Sequence, residues 1–328
     1  MARWLVDRLQ ALRTWIAVRL GLWRGQWRHG VVQASAVPFA FNPFVPHAWR
    51  YSLYAPGGLA DDSAAPLIIV LHGCRQRASS FAVAAGLTGF ADRTRVRLLC
   101  PQQRRLANPY RCWNWFGPLA QAGAGELSVV LAILDEVETQ VRIDREAVAA
   151  VGFSAGGGMA ALLAFHATRR LRASIVVAGP PLLGPFVVQD PREVMQRGLQ
   201  FAPELALGLR QTACVPLAVV QGTADTVVHP QCASQLAAQA LESLRRAGVA
   251  VTRHDASAAD SPAVIDYRSG DVLCLRRVDV PGLSHEWTGG PAGHPFCARD
   301  GYPLTELCRQ FLSETGILPR DRPLTLPR

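Results

Sequence analysis

With 328 residues the chain can bury a large core, and its length suits one big α/β domain or two modest ones. Apolar residues make up 49% and charged residues 18% of it, a globular composition that excludes a disordered chain. The net charge of +9 would ordinarily raise nucleic acid as a partner, but all 34 basic residues are arginine and lysine is absent, a compositional bias that weakens the argument. No nucleic-acid partner is expected. The missing lysine also removes a pyridoxal Schiff base, a phosphate-loop lysine and a Ser-Lys dyad.

The first thirty residues, MARWLVDRLQALRTWIAVRLGLWRGQWRHG, carry six arginines, four tryptophans and one acidic residue. Leu5, Leu9, Leu12, Ile16, Leu20, Trp23 and Trp27 recur at steps of three and four, which predicts one apolar helical face flanked by Arg8, Arg13, Arg19 and Arg24. An arginine interrupts every apolar stretch before it reaches the length of a signal-peptide core or a membrane span. Residues 1–35 are therefore expected to be an amphipathic helix and linker, and 36–328 a catalytic domain. The helix, over residues 1–28, would lie on a granule, a membrane or its own domain.

Beyond residue 48 the pattern alternates. WRYSLYAP reads as an early half-exposed strand, and PLIIVLHG, VRLLCP, AVAAVG, ASIVVAG and PLAVVQG as short, continuously apolar buried strands. Helical stretches are expected at 79–93, 126–141 and 155–167, and VIDYRSGDVLCLRRVDV reads as a hairpin turning at 268–271. Repeated strand–helix–strand units imply a mostly parallel sheet covered on both faces. Residues 180–211, containing GPPLLGP, exceed a tight crossover and are a candidate lid or pocket wall.

Gly152, Phe153, Ser154, Ala155 and Gly156 spell G-x-S-x-G where the strand AVAAVG meets a helix. That placement suggests a serine nucleophile on a strained turn, the competing reading being a plain glycine-rich bend. A nucleophilic serine in an α/β hydrolase needs an acid and then a histidine later in the chain. Asp225 follows PLAVVQG, and His285 lies in VPGLSHEWTGG after a strand ending at Val280. Their bland alternatives are an Asx-turn and a surface loop residue. LHGC after the strand at 67–71 puts the amide of Cys74 where one oxyanion donor belongs, with that of Ala155 as the second. His229 and Trp287 are candidate pocket residues, as are Trp113 and Trp115 in ANPYRCWNWFGP, where at least one tryptophan is expected to pack in the core. The eight cysteines, at 74, 100, 112, 214, 232, 274, 297 and 308, show no CxxC pair and no zinc spacing, so no metal and no cofactor is expected.

LHGCRQ, CWNWF, GAGE, GFSAGG, GTADTVVHP and GLSHEWTGG, in this order, resemble the polyhydroxybutyrate depolymerase-type esterases of the α/β-hydrolase superfamily. The resemblance spans roughly residues 50–312. It implies Ser154 as nucleophile, Asp225 as acid, His285 as base and Cys74 in the oxyanion loop. It further implies a serine carboxylesterase acting on hydroxyalkanoate oligomers or polyester, with feruloyl or acetylxylan esters as the alternative. A non-catalytic hydrolase-fold protein binding an apolar surface is a third reading. LSHEW and VAGPPLLGP depart from the family pattern and touch the substrate rather than the chemistry. A Cys74–Cys112 bridge would tie the aromatic loop to the oxyanion loop. The compartment is expected to be cytoplasmic with granule or membrane association, the alternative being secretion.

Overall fold

A computed structural model of the chain describes residues 25–36, 47–185, 189–208, 213–256 and 262–318. In chain order its strands are β1 (Gln26–Gln33), β2 (Ala48–Ala55), β3 (Ala65–Leu71), β4 (Arg97–Pro101), β5 (Ile143–Phe153), β6 (Ala173–Val177), β7 (Leu217–Gly222), β8 (Thr252–Ala256), β9 (Ala263–Ser269), β10 (Val272–Val280), β11 (Trp287–Thr288) and β12 (Cys297–Ala298). The helices described are α1 (Ala78–Ala84), α2 (Leu87–Thr94), α3 (Pro118–Gln121), α4 (Glu126–Gln140), α5 (Ala155–His166), α6 (Pro191–Arg197), α7 (Gln231–Arg246) and α8 (Leu304–Glu314).

Ten strands make one sheet in the order β1-β2-β4-β3-β5-β6-β7-β10-β9-β8, and β11 pairs with β12 apart from it. The centre from β4 to β10 is parallel, and antiparallel strands flank it at both ends. The continuous apolar runs follow from coverage on both faces. Along β3, Leu67, Ile69 and Leu71 join the core beneath α4, α5 and α7, whereas Ile68 and Val70 join the core beneath α1, α2 and α8. Strand β5 divides likewise, with Val148 and Ala150 on the first side and Ala149, Val151 and Phe153 on the second.

Several expectations are corrected. Gln26–Gln33 is not the end of a helix but an edge strand paired antiparallel with β2, so the main sheet begins before the boundary expected at residue 36. Trp27, placed by its spacing on the helical face, packs against the Tyr54 ring at 5.0 Å, and the Tyr54 hydroxyl receives the Gly25 amide and donates to Asp92. The rest of that helix, residues 1–24, lies outside the described residues. The stretch 79–93 is two helices, because Gly86 takes a left-handed φ of +77° between α1 and α2. Strands β8, β11 and β12 were not anticipated, while the hairpin of β9 and β10 turns where expected.

The excursion at 180–211 is a fixed wall rather than a loose lid over its described part. Buried glutamines replace the secondary-structure partners that its backbone lacks. Gln121 Oε1 accepts from the amides of Leu183 and Gly184. Gln239 accepts from the Leu182 amide and donates to the carbonyls of Leu182 and Pro203, and Gln235 pairs both ways with Leu199. Replacing Gln239 by leucine strands three buried backbone groups. Gln239→Leu is expected to lower the unfolding free energy by about 2–4 kcal/mol, read as a shifted urea midpoint; an unchanged midpoint would show that this wall does not depend on the amide.

Candidate active site

Strand β5 ends at Phe153 and α5 begins at Ala155, so Ser154 occupies the turn between them, at φ +57° and ψ −121°. A non-glycine residue rarely holds a positive φ. The turn is tight enough that a Cβ on Gly152 would collide with the Gly156 carbonyl, and a Cβ on Gly156 with the carbonyl of Leu71 on β3. The two glycines of the pentapeptide are thus required by close backbone approach. The Ser154 amide is anchored on the Val177 carbonyl of β6 at 3.0 Å.

Loops at the same edge of the sheet bring the partners. The Ser154 hydroxyl lies 2.9 Å from His285 Nε2, and His285 Nδ1 lies 2.7 Å from Asp225 Oδ2. With Nδ1–H donating to the carboxylate, Nε2 is the acceptor that faces the serine. All three side chains are buried, and the imidazole sits 5.0 Å from the Phe153 ring and 5.8 Å from that of Phe296.

Asp225 makes an Asx-turn and faces His285 at the same time. Its Oδ1 accepts from the amides of Val227 and Val228, forming the Asx-turn, while Oδ2 receives His285 and the Gln221 side chain. Burial pushes this carboxyl up, but the His285 hydrogen bond and charge and the two amides outweigh it and hold the group below the usual carboxylate range. The aspartate stays ionised where it faces the imidazole.

The loop carrying Cys74 is fixed from several sides. His72 is fully buried and donates from Nδ1 to the Gly73 carbonyl at 2.7 Å, while its Nε2 accepts from the Gln103 amide. Gln76 accepts from the Gly73 amide and donates to the Pro295 carbonyl, linking this loop to the one beyond His285. Cys74 is bonded to Cys112. Ala155 opens α5, so its N–H has no intrahelical acceptor. Among the described residues neither that amide nor the Cys74 amide donates to another protein group.

Glu126, the acid of GAGE, anchors the aromatic loop. Its buried carboxylate accepts from the Gln103 side chain and from both the amide and side chain of Asn114, and burial raises its pKa against those donors. Sequence reasoning quoted the motif but gave the acid no task. Its partners come from segments distant in sequence, so no short-range signal gave it one.

The tryptophans do not line the site. Trp113 and Trp287 are fully buried and Trp115 is 2% exposed, so none offers a face to a ligand. Trp113 packs at a tilt 5.8 Å from His72, Trp115 meets Phe116 edge-on, and Trp287 packs edge-on against Phe81 while its indole N–H donates to Thr305. Their area goes into the core, where large aromatic rings are most stabilising. His229 is exposed and turns to the start of α7, its Nδ1 accepting from the Gln231 amide and its own amide donating to Met195. Phe296, 39% exposed beside His285, is the apolar side chain the sequence reading missed.

The family model described as Esterase PHB depolymerase matches residues 49–259. The chain belongs to this family. This family member is 30% identical over 129 residues to poly(3-hydroxyalkanoate) depolymerase C of Paucimonas lemoignei, a match covering 39% of the chain but only 30% of that depolymerase. Over 253 residues it is 27% identical to feruloyl esterase B of Thermothelomyces thermophilus, covering 72% of the chain and 83% of the relative. Among solved structures, acetyl xylan esterase from Aspergillus awamori superposes with a TM-score of 0.66 at 14% identity, over 88% of this chain and 99% of that one. The fold is the α/β-hydrolase fold.

The buried His72 has a consequence for stability. Desolvation lowers its pKa to about 4, against the Gly73 hydrogen bond, so it is neutral at pH 7. A histidine with a depressed folded pKa contributes stability above its unfolded value of about 6.5 and loses it as pH falls toward 4. The loss amounts to roughly 3 kcal/mol. Denaturation midpoints measured between pH 7 and pH 4.5 are expected to fall in the wild type and to fall less in His72→Asn; parallel profiles would contradict this assignment.

Proposed function

We propose that the protein hydrolyses hydroxyalkanoate oligomers or polyester through an acyl-enzyme on Ser154. The unbroken hydrogen-bonded line from Ser154 Oγ through His285 to Asp225, set on a strained strand-to-helix turn, carries this reading. His285 Nε2 takes the proton of Ser154 as Oγ attacks the ester carbonyl, and Asp225 stabilises the imidazolium. The amides of Cys74 and Ala155 receive the oxyanion. The imidazolium then protonates the departing alkoxide, and a water activated by the same histidine releases the acid. A complete relay of this kind speaks against a non-catalytic surface binder.

The depolymerase relatives favour a hydroxyalkanoate ester, while the longer alignment with a feruloyl esterase supports the aromatic-ester alternative. The Cys74–Cys112 bridge favours an oxidising compartment, and with it secretion over the cytoplasmic expectation. Among the described residues no helix is long and apolar enough to cross a membrane. Adhesion to a polymer granule or membrane is assigned to the amphipathic pattern of residues 1–24, since Trp27 belongs to the sheet.

A graded series of soluble esters assayed beside a polyhydroxybutyrate suspension tests the substrate. Hydroxybutyrate oligomers are expected to be cleaved with higher kcat/KM than methyl ferulate; the reverse order would move the protein to the aromatic-ester reading. Asp225→Asn is expected to lower kcat by about 10⁴-fold with the fold retained, and a loss under tenfold would refute the role given to the carboxylate. A truncation of residues 1–24 that spares β1 should keep soluble-ester activity and lose sedimentation with granules. Unchanged sedimentation would refute the adhesion role.

A further inference from the structure

A cleft of about 540 Å³ opens between β1, β2, the start of α1 and the aromatic loop. Three arginines line it: Arg50 on β2, Arg77 just before α1 and Arg111 on the aromatic loop. Its lining contains neither aspartate nor glutamate. Among the described residues none of the three arginines forms an ion pair. Cations held together without counter-charges repel one another. Burial and the neighbouring charges of Arg105 and Arg77 lower the pKa of the Arg111 guanidinium, a repulsion that an anion would relieve. Arg111 is moreover held at φ +55°, a left-handed conformation that a non-glycine residue keeps only where its surroundings impose it.

Two short links join the cleft wall to the loop that carries Cys74. Arg111 immediately precedes Cys112, which is bonded to Cys74 of the oxyanion loop. Gln102, on the cleft's inner wall, lies 3.1 Å from Nε2 of His72, whose Nδ1–H holds the Gly73 carbonyl. His29, tied to Ser52 Oγ at 2.9 Å, adds a further polar group on the β1 side.

We infer that this cleft is a carboxylate subsite, in which Arg50, Arg77 and Arg111 receive the free carboxylate of an ester substrate whose acyl or alcohol part is cleaved at Ser154. Guanidinium groups suit a carboxylate because their paired N–H donors match its two oxygens. Resting on the proposed hydroxyalkanoate reading, the natural ligand is the carboxylate end of a short oligomer. The protein would then prefer acid-terminated fragments to capped chains. The subsite adds affinity in the ground state and transition state alike, so it acts on KM rather than kcat.

The test compares acid-terminated esters with methyl-capped counterparts, using the 3-hydroxybutyrate trimer and the p-nitrophenyl monoesters of glutaric to sebacic acid. In the wild type the best acid form is expected to exceed its capped form about tenfold in kcat/KM, through KM. Arg50 and Arg77 are both exposed, so R50Q/R77Q is expected to fold normally and to bring the ratio within about twofold. Its rate on neutral p-nitrophenyl butyrate is expected to stay unchanged, with R77Q intermediate. A wild-type ratio of one or less with every pair, or an undiminished ratio in the double variant, overturns the subsite. Inhibition of acid and capped forms alike by free 3-hydroxybutyrate, without an acid preference, would assign the cleft to a separate anion and also overturns it. If neither trimer is cleaved while the p-nitrophenyl diacid series keeps its preference, the hydroxyalkanoate reading fails and the carboxylate subsite stands.

Discussion

The close approach of three backbone segments at Ser154 is the constraint on which the rest of the site depends. Gly156 lies against the Leu71 carbonyl and Gly152 against the Gly156 carbonyl, so β3, β5 and the first turn of α5 meet with no room for a side chain. The positive φ of Ser154 costs about 1–3 kcal/mol. Burial of α5 along nearly its whole length offsets it, from Ala155 through Phe165. Because β5, β6, β7 and β10 run parallel, their carboxyl ends share one edge, and the loops after β7 and β10 can deliver Asp225 and His285 to the serine.

Around this centre the buried polar groups are largely neutral amides. Gln221 holds Asp225, Gln76 holds the oxyanion loop, Gln103 joins that loop to Glu126, and Gln121, Gln235 and Gln239 fix the wall after β6. A glutamine can donate and accept at once without the desolvation cost of an ion. The scaffold thereby satisfies its buried groups without placing extra charge beside the relay.

What the sequence made legible was local in origin. The pentapeptide, the apolar strands and the order serine, aspartate, histidine each follow from short-range rules, and the parallel sheet turns that order into contact. Where local pattern and tertiary packing disagreed, packing prevailed. Trp27 fits a helical spacing, yet β2 offers an unpaired edge and Tyr54 a ring to pack against, and the segment becomes a strand. The tryptophans of CWNWF look like a rim because rims are aromatic, but burial of Trp113 against His72, and of Trp115 beside Gly158, is decided by contacts distant in sequence. The tasks of His72, Gln76 and Glu126 had no short-range signature, since each acts on groups brought near only by the fold.

The central claim is that Ser154 is a nucleophile activated by His285. The most direct measurement is reaction with an ester-mimicking phosphonate, followed by mass mapping of the adduct in the wild type and in His285→Ala. The account predicts a stoichiometric adduct on Ser154 alone and a labelling rate at least about 10³-fold slower without the histidine. Labelling at another residue, or at Ser154 with equal speed in both proteins, would contradict it.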